Sequence, residues 1–410
     1  MARRTPRRRD RLRSDARRGG RARPRPGRRA ARHRTAGGLH RRRRPLTRSA
    51  LSPVHARKDP TMSPIARKLG LAAASFVAAA ALLTGCAGPA DEATAGQDGY
   101  GSLDIQLSFV KNTQNAGEYM ADSRGYYSEE GFAPVTLVAG PTAIEAAIAT
   151  GSADIGFSSV LGSATAITAE EMPIAIIGAI YAKNAFTVMS MAGANAIETP
   201  ADLEGKRIGV TAGTAQLMVE ALAEANGVDP GTITFVPAEG NTALLTGGDV
   251  DGYFGLETNE FIVLTQAGHD VVSLPLATNG LPLAGTSFAV SRDAIANQRE
   301  ELKAFLRAEI RGWMDAIADP EAGARLALDV YGADLGLTEA KELAQAEAQI
   351  PHILTDQARK TGLFLLSPLQ IEENIAALTL AGFDIDADDL FDMSLLEEIY
   401  AEEPDLAVAP

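Results

Sequence analysis

Side chains able to make or break covalent bonds are scarce in this sequence. Its 410 residues hold one cysteine, Cys86, and five histidines, of which only His269 and His352 lie beyond that cysteine. His269, between Gly268 and Asp270, reads as a surface turn, so no imidazole pair remains for acid–base work or metal ligation. Neither GxxxxGK[ST] nor HExxH occurs. Catalytic residues, metal and cofactor are therefore not expected. The chain does carry hydroxyl, amide, carboxylate and aromatic groups at places where apolar runs end and helical patterns begin. Phe109, Asn112, Asn115 and Tyr119 follow the first run, and Ser158 and Ser159 follow the third. Tyr181 follows the fourth, Gly213 and Thr214 open a later helix, and Asn259 and Glu260 open another. Such groups hydrogen bond to or stack on a small molecule. Each also has a structural use. Tyr119 lies on the inner stripe of its helix, Ser158 and Thr214 suit helix caps, Gly213 eases a turn, and Glu260 complements a helix dipole.

The elements that position these residues alternate. Leu103 to Val110 alternates apolar and polar as a half-buried strand does. Asn115 to Glu130 has helical spacing closed by Gly131, and Val135 to Val138 is a second strand; strand, helix, strand in that span predicts a parallel pair with a crossover helix. Helix 142–150, strand 155–157, helix 158–169 and strand 174–180 continue the pattern, and 186–191 is apolar and extended. A second set runs through strand 207–210, helix 214–226, strand 232–236, helix 242–246, strand 252–254, helix 259–267 and strand 271–274. Strand 286–290 precedes a long amphipathic helix, 293–318, and the remainder to Tyr400 reads as helical. The fold class is α/β. Open sheets of this class bind ligands beyond the carboxyl ends of their strands, where helix starts present free N–H groups.

Charge divides the chain in two. The net charge of −13 hides 25 Lys and Arg among residues 1–86, beside three acids, and a remainder with 14 basic and 49 acidic residues, near −35. That field repels nucleic acid, which is not expected as a partner. Residues 1–61 are Arg-rich without apolar periodicity and are expected to be a disordered, non-native upstream extension, with translation starting at Met62. Arg67 and Lys68 then precede the apolar run 69–83, shorter than the roughly 20 residues a membrane span needs, which is the layout of an export signal over 62–85. Leu83-Thr84-Gly85-Cys86 resembles a bacterial lipobox, so Cys86 is the expected lipidation site and 86–101 the tether. The location this implies is extracytoplasmic, anchored to the cell membrane by lipid.

Four segments in order resemble one family. Asn112-Thr113, Gly117, Tyr119, Gly125-Tyr126-Tyr127 and Glu130-Gly131-Phe132 are similar to the opening of bacterial solute-binding proteins of the nitrate, sulfonate and thiamine-precursor superfamily. AAIATGSADIG (146–156), PADLEGKRIG (200–209) and the stretch 248–260 extend the resemblance across residues 103 to 315. It implies a two-lobed periplasmic-binding fold of type II, each lobe a mainly parallel sheet flanked by helices, closing on a ligand. Residues 102–188 plus 284–400 would form the first lobe and 189–283 the second. The partners implied are a small-molecule ligand and the permease subunits and cytoplasmic ATPase of an ABC importer.

Within the family, the Asn112, Thr113, Gly117, Tyr119 spacing and the Asn259-Glu260 pair look more like binders of thiamine pyrimidine precursors and riboflavin. Glu260 or Glu257 would accept from an amine or ring N–H while Tyr119, Tyr126 or Tyr181 stacks on the ring. Sulfonate or nitrate would need donors and cations, and Lys111, Arg124 and Lys183 are the few candidates. The yeast pyrimidine synthases share this fold but use histidine and a cysteine cluster; Asn115 stands where their opening bears histidine. A sensor lipoprotein without transport is the remaining alternative.

Overall fold

The computed structural model describes residues 99–407 except 141–142, 212–213 and 239. The expectations for 1–61, for the signal at 62–85, for Cys86 and for nearly all of the tether lie outside the described residues.

Ten strands form two sheets. β1 (Gly101–Gln106), β2 (Phe132–Val138), β3 (Ile155–Ser159) and β4 (Ile174–Ala179) come first, then β5 (Phe186–Met191), β6 (Arg207–Val210), β7 (Thr234–Pro237), β8 (Gly252–Leu256) and β9 (Val271–Pro275), and last β10 (Thr286–Ser291). The orders are β2-β1-β3-β10-β4 and β7-β6-β8-β5-β9. β1 pairs parallel with β2 and β3, and β6 with β7 and β8; β10 and β5 are antiparallel to both neighbours. Four strands of each sheet therefore share one direction. The reversed strand in each is the one the chain enters after crossing from the other sheet, so the chain passes between lobes twice, at 180–185 and 276–285. The boundary expected at 188/189 cuts through β5 and is corrected: β5 pairs along its length with β8 and β9, placing the first crossing before Phe186.

The local patterns explain most element ends. The helix expected over 115–130 divides into α1 (Ala116–Ser123) and a short turn (Tyr126–Glu129), because Gly125 adopts φ +78° between them. Val160–Glu170 forms α2 and Ala215–Ala225 α3. Glu260–Gln266 is α4, and Arg299–Ala318 is α5, separated at Gln298 from Arg292–Asn297, where one continuous helix was expected. Glu339–Ile353 forms α6. No helix among the described residues is long and apolar enough to cross a membrane.

Packing fixes the first lobe. Phe288 of β10 meets Phe157, Phe305 and Phe364 edge-on with centroids 5.1–5.3 Å apart, joining β3, α5 and the C-terminal segment. β4 ends the hydrogen-bonded order, yet all six residues are buried, because Phe364, Phe391 and Leu396 cover that edge. α1 and α5 approach closely at glycines: a Cβ on Gly117 would stand 2.2 Å from the Trp313 ring, and one on Gly312 2.3 Å from the Gly117 carbonyl oxygen. The second lobe packs Met189, Leu245, Val250, Tyr253 and Leu264 on its sheet.

Candidate functional site

A cleft of about 400 Å³ lies between the lobes. Its first wall comes from the loop after β1 (Ser108, Phe109, Gln114) and the end of β3 (Ser158, Ser159). Thr211 and Thr214 after β6, with Leu256 at the end of β8 and Asn259 and Glu260 after it, make the opposite wall. The crossings close the back through Tyr181, Ala185, Phe186, Gly285 and Thr286. Strand carboxyl ends and helix starts from both sheets thus converge on one space, the arrangement open α/β sheets offer to ligands.

The polar wall is held from behind. Ser159 caps α2, its Oγ accepting from Gly162 N at 3.0 Å, so the cap is Ser159 and not Ser158. Ser158 is the next-to-last residue of β3 instead; its hydroxyl donates to Glu145 and accepts from buried Ser163 at 3.0 Å. Gln114 Nε2 donates to Ser108 Oγ at 3.2 Å. Glu260 is fastened to its own loop: Oε2 accepts from Leu256 N at 2.8 Å and Oε1 from Asn259 Nδ2 at 3.0 Å. Each carboxylate oxygen keeps lone-pair capacity for a donor in the cleft.

The aromatic wall differs from expectation. Tyr181 contributes a nearly buried ring whose hydroxyl donates to Gln349 Oε1 at 2.9 Å. Burial pushes that phenol up, so it stays protonated and committed. Phe186 stacks on Phe254 with centroids 5.3 Å apart. Phe109 is 41% exposed, an apolar ring presented to the cleft.

Glu260 is the one ionisable carboxylate among the described lining residues, and no Lys, Arg or His lines the space with it. Lys341 lies nearby but pairs with Glu342 at 3.1 Å. Burial lowers its pKa, opposed by Glu342 and Glu260. Among the described residues no group of three or more His, Cys, Asp or Glu is placed to hold a metal ion.

The structure thus brings Phe109, Ser158, Ser159, Tyr181, Thr214, Asn259 and Glu260 to one cleft. Gly213 lies outside the described residues. Asn112, Asn115 and Tyr119 do not line the cleft and are corrected to supporting roles, all being buried. Asn112 Oδ1 accepts from Gln114 N at 3.0 Å, which shapes the loop after β1. Asn115 Nδ2 donates to Val110 O and to the Tyr119 hydroxyl, both at 3.3 Å. Tyr119 stacks on Tyr331 at 4.2 Å inside the lobe. Tyr126 donates to Asp315 beneath Arg311, and Glu257 accepts from Ser273 at 2.7 Å, so neither reaches the lining. Sequence reasoning missed Phe186, Thr211 and Gly285-Thr286. The only signal for them was their place at the edge of an expected strand.

A two-lobed α/β protein with doubly crossed sheets and a cleft at the strand ends has the periplasmic-binding fold. Among solved structures the periplasmic nitrate-binding protein NrtA from Synechocystis PCC 6803 is similar, with TM-score 0.56, 14% identity, and coverage of 75% of this chain and 91% of that one. Residues 112–323 match the family described as NMT1/THI5 like, and the chain belongs to that family. Two curated relatives are each 27% identical. One is 4-amino-5-hydroxymethyl-2-methylpyrimidine phosphate synthase of Schizosaccharomyces pombe, over 215 residues covering 49% of this chain and 62% of the relative. The other is the riboflavin-binding protein RibY of Chloroflexus aurantiacus, over 231 residues covering 55% and 65%. The match spans less than two thirds of either relative's length.

Proposed function

We propose that this protein is the extracytoplasmic solute-binding component of an ABC importer, held at the membrane through lipidated Cys86, and that its ligand is a neutral or weakly cationic heteroaromatic compound. The observation that carries the reading is the cleft itself: Phe109 and Phe186 offer apolar ring faces and Glu260 offers an acceptor, with no cation among the described lining residues. Planar rings bearing N–H donors match such a surface, whereas oxyanions prefer charged donors. The volume of about 400 Å³ falls in the range of small-ligand pockets. Similarity to a riboflavin-binding protein and to a pyrimidine phosphate synthase supports a ring-bearing ligand of the flavin or aminopyrimidine kind.

Nitrate or sulfonate binding is the second reading, favoured by the nitrate-binding structural neighbour and by the Ser159-capped start of α2 at the cleft. The synthase relative favours a third, enzymatic reading. A thermal-shift screen of flavins, aminopyrimidines, sulfonates, taurine and nitrate separates these, since a ligand that binds only the folded state raises the melting temperature. The proposal expects stabilisation by a flavin or aminopyrimidine with no chemical change in the ligand. Stabilisation by oxyanions alone would replace the ligand class, and turnover of a bound pyrimidine would replace the binder with an enzyme.

A further inference from the structure

α6 lies beyond residues 112–323 and touches three parts of the cleft's frame. On the second lobe, Gln266 at the end of α4 donates from Nε2 to the Ala340 carbonyl at 2.8 Å. Lys341 follows; its side chain, 12% exposed, pairs with Glu342 and is drawn by Glu260 of the same α4. On the first lobe, buried Glu342 accepts from Thr113 N at 2.8 Å through Oε2, beside cleft residue Gln114. Gln349 donates to the Thr113 carbonyl at 3.1 Å and accepts from Tyr181 at 2.9 Å. At the first crossing, a ring nitrogen of His352 lies 3.2 Å from the Lys183 carbonyl.

We propose that α6 is a latch between the lobes: its middle and C-terminal parts belong to the first lobe and the crossing, and its first turn holds α4 of the second lobe. The contacts differ in what rotation about the crossings would do to them. Bonds to Thr113, Tyr181 and Lys183 stay within one body and its hinge. The Gln266–Ala340 bond and the Lys341–Glu260 attraction join two bodies and are broken when the lobes part. The seam is polar: its bond runs from an exposed Gln266 amide to a backbone carbonyl at the start of α6. A polar, solvent-exposed contact parts more readily than a packed apolar one, because water replaces the lost bond, which suits a reversible closure. The latch therefore sets the ratio of open to closed protein before any ligand arrives, and ligand affinity scales with the closed fraction.

This inference rests on the two-lobed fold and not on the ligand class, so its test uses ligand-free protein. Spin labels at exposed Ala169→Cys and Thr246→Cys, one on each lobe, in a Cys86→Ser background report the interlobe distance by pulsed electron resonance. Gln266→Ala is expected to raise the open-to-closed ratio about five-fold, the equivalent of one ordinary hydrogen bond of about 1 kcal/mol. Lys341→Gln is expected to raise it as well, and Lys341→Arg to leave it near the parent value. Gln266 is an exposed side chain whose removal leaves the core intact, so the variant stays folded. Distance distributions identical to the parent in both Gln266→Ala and Lys341→Gln overturn the latch.

Discussion

Glu118 and Glu309 are fully buried carboxyls between α1 and α5, and Glu118→Gln probes what they do to stability. Trp313 Nε1 donates to Glu118 Oε1 at 3.0 Å, and Tyr127 donates its hydroxyl to Glu309. The second oxygens, Glu118 Oε2 and Glu309 Oε2, are buried without a hydrogen-bond partner among the described residues, so a charge on either carboxyl is poorly compensated. Burial pushes Glu118 up from 4.5 to about 7, against the lowering effect of its hydrogen bonds. Burial, followed by the Glu118 charge, pushes Glu309 up further. Because these pKa values are raised on folding, their contribution is full below about pH 4.5 and is lost as pH rises through the folded values, the unfolded chain releasing protons that the folded one retains. At 1.36 kcal/mol per unit, the rise to about 7 corresponds to a loss of about 3 kcal/mol by pH 8. Glutamine keeps an acceptor for Trp313 and needs no proton. Glu118→Gln should therefore be near neutral at pH 4.5 and stabilising by up to about 3 kcal/mol at pH 8. At about 2 °C per kcal/mol for a chain of this size, the melting temperature should gain about 6 °C at pH 8. Thermal unfolding of parent and variant, followed by circular dichroism from pH 4.5 to 9, measures the difference directly. A gap that does not change with pH would refute the account of a buried carboxyl kept protonated by desolvation.

Three further outcomes are expected. Phe109→Ala should weaken binding of the screened ligand about ten-fold, a stacking loss of about 1.4 kcal/mol, with an unchanged melting temperature because the ring is 41% exposed; Glu260→Ala should weaken it too while the protein stays folded, and calorimetry showing parental affinity would remove either residue from the site. Gly117→Ala should destabilise by about 2 kcal/mol or more, since the added methyl meets the Trp313 ring at 2.2 Å, and a denaturation midpoint equal to the parent's would contradict the close approach of α1 and α5.

Strands were legible because their signal is local. β5 and β6 have the expected bounds, and most other strands shift by only a residue or two at either end. Seven of the named site residues reach the cleft for a related reason: polar groups just after a strand's carboxyl end stay near that end however the lobes pack. Asn112, Asn115 and Tyr119 failed the same test. They too follow β1, but the chain turns there, and Asn112 caps the turn while Tyr119 points inward to Tyr331. Helical spacing told that Tyr119 faces a neighbour, not which one.

Alternating periodicity, the segregation of charge and four ordered motifs determined the α/β class, the two sets of strands and the family from the sequence alone, because each depends on residues close in the chain. The tertiary structure decided the rest. Which strand ends face each other across the cleft, that Phe186 and Thr286 join the wall, and that α6 ties Thr113 to α4 all depend on pairs far apart in sequence, such as Gln349 and Thr113, 236 residues away. A periodic pattern states that a face is buried; only the assembled fold supplies the surface against which it is buried.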